Sequence, residues 1–84
     1  MVGVIKRMVM TEKAVKLMET ENTITLIVDP KATKSVIKKA VEESFNVKVS
    51  DVRTLNTVKN EKKAFIKLKP ESLASDVGSK MGVI

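Results

Sequence analysis

The residues best suited to chemistry in this chain are its cations. Lys31, Lys34, Lys38 and Lys39 form a basic stripe at the start of a helical pattern. Further on, Lys59 and Lys62 crowd a polar tip, and Lys63, Lys67 and Lys69 alternate along an extended run. The net charge is +6, and it is unevenly spread. Residues 1–30 are neutral, residues 31–69 carry +7 and residues 70–84 carry −1. Clustering of this kind favours a localised surface for a polyanion such as nucleic acid. Cations at a helix start also oppose the helix dipole, and a docked phosphate would remove that mismatch. An ordinary solvated face explains the same residues, with Glu42 and Glu43 balancing Lys38 and Lys39 at helical spacing. Lysines also protect edge strands from unwanted pairing. The residues alone leave both readings open.

Enzyme chemistry fares badly. The chain has no histidine and no cysteine, which removes the Ser-His-Asp and Cys-His sets, thiolate metal sites and disulfides. Gly3, Gly78 and Gly82 are the only glycines, so no Gly-rich phosphate loop exists. Neither Arg7 nor Arg53 sits in the phosphate loop that a small enzyme of the acylphosphatase kind would need. Adjacent Glu42 and Glu43 point in different directions on a helix. No catalytic residue, metal ligand or cofactor is assigned. An aromatic platform for RNA bases is also disfavoured, because Phe65 is the only aromatic in a strand pattern. RNA binding would then run mainly through phosphates, sugars and shape.

The elements that must position these cations are legible in order. Eighty-four residues make one domain, 1–84, and such a chain buries roughly 60–65% of its unfolded surface. Composition, 43% apolar and 31% charged, suits a soluble protein. Lack of cysteine fits a cytosolic setting. No apolar run is long enough for a membrane span, and Lys6 and Arg7 are not followed by a signal-peptide core. Residues 2–10 read as a short extended segment. Thr11 caps a helix over about 11–20, with Glu12 complementing its dipole. Residues 22–28 read as a strand with Ile24, Leu26 and Val28 on one face, ended by Asp29-Pro30. Residues 33–45 are the clearest helix, with Val36, Ile37, Ala40, Val41 and Phe45 on its apolar face.

Two β-prone runs, from Val52 and from Lys63, flank the polar tip as a hairpin with a loop of about three to five residues. Ala64, Ile66 and Leu68 alternate onto one face, Lys63, Phe65, Lys67 and Lys69 onto the other. A last helix is expected from Glu71 to Lys80, with Leu73, Val77 and Met81 on one face. The strand, helix and hairpin make a split β-α-β unit in an α+β, ferredoxin-like domain. The second hairpin strand inserts between two parallel strands, so the sheet is mainly antiparallel, with helices packed on it. Ile27, Leu55 and Phe65 point to the face away from the long helix, which the terminal helices should partly cover.

Six motifs in register carry a resemblance. They are Thr11-Glu12-Lys13-Ala14, Asn22-Thr23-Ile24, Lys31-Ala32-Thr33-Lys34, Val41-Glu42-Glu43-Ser44-Phe45-Asn46-Val47, Val52-Arg53-Thr54-Leu55-Asn56-Thr57 and Lys62-Lys63-Ala64. Together they resemble large-subunit ribosomal protein number twenty-three in its archaeal form, over nearly the whole chain. The resemblance implies a structural role in the large subunit of the cytoplasmic ribosome, on rRNA near the mouth of the polypeptide exit tunnel and among neighbouring ribosomal proteins. It implies that Glu12, Phe45 and Asn46 lie on a docking platform for signal recognition particle or other exit-site factors. On this reading Lys31, Lys34, Lys38, Arg53, Lys59, Lys62 and Lys63 neutralise rRNA phosphates. Thr54, Asn56 and Thr57 hydrogen-bond sugars or base edges. Bacterial relatives carry a long basic extension in the hairpin. Only Lys59 to Lys62 stands there, so the tip should not line the tunnel deeply. Outside the ribosome the chain is expected to be a monomer. The competing expectation is a free-standing ferredoxin-like interaction or ligand-sensing domain, which would dimerise through its open sheet face and ignore RNA.

Overall fold

The computed structural model describes residues 4–57, 59–72 and 74. Its elements are β1 (Ile5–Met8), α1 (Glu12–Glu21), β2 (Thr23–Val28), α2 (Lys34–Phe45), β3 (Val49–Asn56) and β4 (Lys62–Leu68). Both helices start where a threonine hydroxyl takes an orphan amide. Thr11 accepts from the Ala14 N–H at 3.2 Å and Thr33 from the Val36 N–H at 3.3 Å. Both end on an asparagine in the left-handed region, Asn22 at φ 51° and Asn46 at φ 55°. The final helix is expected from Glu71, but Glu71 and Ser72 form a turn and a bend after Pro70; Ala74 is helical and fully buried, and the rest of that expectation lies outside the described residues.

The strands form one antiparallel sheet in the order β1-β2-β4-β3. Strand β4 inserts between β2 and β3, which run parallel to each other, so the split β-α-β arrangement is present. The hairpin register pairs Val52 with Ile66, Arg53 with Phe65 and Leu55 with Lys63. A five-residue loop, 57–61, closes it through the Thr57 N–H to Glu61 carbonyl bond at 2.9 Å. Asn60 supplies the positive φ that the turn requires, at 59°.

Helix α2 covers one face of the sheet. Ile37, Ala40 and Val41 are buried there, and Ile37 and Val41 join Ile24, Leu26, Val28, Ala64, Ile66 and Leu68 in a single cluster. Val36, counted on the apolar stripe, is 37% exposed at its margin. Phe45 is half-buried and packs against the same cluster. Helix α1 packs on β2. Its Ala14 and Leu17 share a cleft with Thr25 and Phe65, which sets it over the opposite face. Strand β2 is therefore buried on both sides along its whole length. The far half of that second face stays open: Leu55 of β3 is 54% exposed.

Burial of β2 on both sides strands one polar atom. The Thr25 hydroxyl is enclosed with no hydrogen-bond partner among the described residues. An unsatisfied buried hydroxyl costs about 1–3 kcal/mol. Thr25→Val keeps the side-chain shape and the β-branching while removing that group. It should raise stability by roughly 1 kcal/mol, read as a higher urea midpoint at unchanged slope. A lower midpoint would show that the hydroxyl has a partner in solution.

Candidate nucleic-acid interface

The predicted phosphate ligands gather at three places. Lys34, Ser35 and Lys38 stand exposed on the first half of α2 and share a shallow groove of about 220 Å3 with Ser50, Asp51 and Val52 of the neighbouring edge strand β3. The first turn of α2 holds no acidic residue. Asp51 lines the same groove, yet neither lysine forms an ion pair among the described residues. Arg7 with Glu61, at 3.1 Å, is the one such pair among them. The groove therefore keeps its positive charge beside a helix N-terminus, where anions are favoured.

The second place is the open sheet face. Arg53 is directly opposite Phe65 and Leu55 opposite Lys63, so all four side chains rise on the side away from α2. Arg53 is exposed and Lys63 half-buried. The third place is the loop region. Lys59 is exposed at the hairpin tip, and Lys31 is exposed in the turn before α2, where its N–H donates to the Asp29 carboxylate at 2.9 Å.

Lys62, Thr57 and Thr54 are half-buried. Lys62 donates from Nζ to the Ala32 carbonyl at 2.8 Å, tying the start of β4 to the turn before α2. Its charge adds to the local field, while its ammonium is already engaged. The Thr57 hydroxyl is enclosed, with no partner among the described residues. Thr54 is half-buried and lines a cleft with Arg53 and Leu55. Asn56 is exposed at the end of β3, opposite Lys62.

The expected docking residues sit on two helices. Glu12 is exposed in the first turn of α1, and Asn46 is exposed as the left-handed cap of α2. Phe45 precedes Asn46 and leans on the core. Glu12, Phe45 and Asn46 line none of the three main clefts among the described residues. Glu42 does something other than balance Lys38: its Oε2 accepts the Val49 N–H at 3.0 Å and pins the start of β3. Among the described residues, no group of three or more acidic residues could hold a metal ion, and no helix is long and apolar enough to cross a membrane.

The missed elements of the surface are apolar. Leu17, Leu55 and Phe65 line an open cleft beside Arg53. The signal available in the sequence was Leu55 and Phe65 on the less covered face, without the angle of α1 that makes a cleft of them.

The arrangement is that of a small basic α+β domain that presents unpaired cations from a helix start, an edge strand and a hairpin. A family model described as Ribosomal protein L23 matches residues 3–75, and the chain belongs to that family. It is 56% identical over 80 residues to the large ribosomal subunit protein uL23 of the archaeon Pyrobaculum aerophilum, covering 95% of this chain and 99% of that one. The resemblance in the six motifs is thus borne out across nearly the whole length.

Proposed function

We propose that the chain is a structural constituent of the large ribosomal subunit in the cytoplasmic ribosome, a single rRNA-binding domain over 1–84. It binds large-subunit rRNA near the exit tunnel, contacts neighbouring ribosomal proteins, and forms part of the docking site for signal recognition particle or other exit-site factors. The reading is carried by one observation: in a member of a ribosomal protein family, Lys31, Lys34, Lys38, Arg53 and Lys59 are all exposed and none has an ion-pair partner among the described residues. Phosphate contacts of this kind position a protein on RNA, and Asn56 is exposed beside them to hydrogen-bond sugar or base edges. Glu12 serves as the exposed acid that a basic factor would meet.

Add-back to large subunits depleted of this protein tests both halves. The wild-type chain should rejoin the subunit and restore binding of signal recognition particle. Glu12→Lys should rejoin equally well and restore about tenfold less particle binding, as expected when an interfacial charge is reversed. Failure of the wild-type chain to rejoin would overturn the scaffold reading. Full recruitment by Glu12→Lys would remove Glu12 from the docking site.

A further inference from the structure

Two open clefts lie side by side on the sheet face turned away from α2. The larger, about 390 Å3, is lined by Leu17, Arg53, Thr54, Leu55 and Phe65. The smaller, about 210 Å3, shares Leu17 and Phe65 and has Lys13 and Lys63 on its walls. No carboxylate lines either cleft. The nearest acid along β3 on this face is Asp51, two residues before Arg53 and opposite Lys67.

We infer that this groove receives an unpaired nucleotide of the bound RNA. The base lies against Phe65 and Leu55, and its flanking phosphates meet Arg53, Lys63 and Lys13. The inference deepens the rRNA reading above and rests on it. Three observations converge on a nucleotide. The floor is apolar and holds an aromatic ring, which suits the flat face of a base. The rim carries three cations and no acid, which suits its phosphates and repels other cations. The larger cleft, at about 390 Å3, is roomy enough for one base. A base stacked inside a duplex cannot enter such a groove, so the partner is a loop, bulge or single strand. One ring with an aliphatic neighbour holds one base, where an aromatic platform would hold several. Leu55, 54% exposed, is the apolar surface that the base would cover.

Two variants test the groove against deproteinised large-subunit rRNA. Phe65→Leu keeps an apolar side chain and removes the ring. It should weaken binding about 5- to 50-fold, the loss expected for a stacked base. The slope of log affinity against log salt should not change, because no charge is removed. Leu55→Asp sets a carboxylate against the base at an exposed position and should weaken binding at least as much. It keeps the test decisive if Phe65→Leu does not fold. In parallel, the wild-type chain should prefer a single-stranded oligoadenylate to a blunt duplex of matched length, and both variants should lose that preference. Wild-type binding to rRNA with both variants equally tight would overturn the groove and leave the rRNA reading intact. No rRNA binding by the wild-type chain would overturn the rRNA reading, and the groove with it.

Discussion

Replacing Lys34, Lys38, Arg53 and Lys63 together by alanine should flatten the salt dependence of rRNA binding by roughly three log–log units. Each phosphate contact contributes a slope of roughly −0.7 to −0.9, because neutralising a phosphate releases condensed counterions. A difference of three units means that raising salt from about 50 to 200 mM should cost the wild-type chain roughly 60-fold more affinity than the variant. The deficit of the variant is therefore greatest at low salt. These four are chosen because their charges have no ion-pair partner among the described residues, so their removal breaks no internal salt bridge there. Lys62 is left out because its ammonium holds the Ala32 carbonyl at 2.8 Å, and alanine there would mix a folding effect into the binding one. A variant that folds normally and keeps the wild-type slope would show that the phosphates are met elsewhere.

The second large effect belongs to a residue with no place in the binding surface. Asn22 ends α1 at φ 51°, and its own N–H donates to the Leu17 carbonyl. Its side-chain amide donates to the carbonyls of Ser72 at 2.7 Å, Lys69 at 3.2 Å and Leu68 at 3.3 Å. Its side-chain oxygen accepts the Ala74 N–H at 2.8 Å. One side chain thus clamps the chain after β4 onto the junction between α1 and β2. Two amide hydrogens serve three carbonyls, so the two longer contacts share one hydrogen. Asn22→Ala should cost about 3–4 kcal/mol, from a left-handed strain of about 1–2 kcal/mol and several bonds of about 1 kcal/mol each. Total stability for a chain of this length is about 4–13 kcal/mol, so the loss is large. Asn22→Gly removes the bonds without the strain and should recover about 1 kcal/mol of it. Urea unfolding of the three proteins measures both parts. An alanine variant within about 0.5 kcal/mol of wild type would show that the clamp does not hold in solution.

Much of this architecture could be read from the residues because it rests on short-range rules. Ala64, Ile66 and Leu68 alternate, so they share the core face. Ile37, Ala40 and Val41 recur at helical spacing, so they meet that face. Thr11 and Thr33 are caps whose partners are three residues away. Topology followed from the hairpin, since a second hairpin strand between two parallel ones is a compact way to close the unit. What escaped depends on residues far apart in sequence. Glu42 reaches Val49 and Lys62 reaches Ala32 only once the sheet and α2 are docked. Asn22 carried a local signal, an asparagine directly after a helix, but its role at Ser72 and Ala74 arises from the return of the chain fifty residues later. Of the candidate site, the cations of α2 and β3 were legible as charge. The cleft of Leu17, Leu55 and Phe65 was not, because it depends on the angle at which α1 crosses the sheet.

Selective attachment to large-subunit rRNA is the property that the proposed function requires of this chain. The most direct measurement is the affinity of the purified chain for a fragment of that RNA and for a scrambled duplex of equal length, each at two salt concentrations. Tight binding to the fragment that weakens steeply with salt, with the duplex at least tenfold weaker, is the expected result. Equal and weak binding to both RNAs would contradict it, and would mean that the basic flank supplies only generic charge.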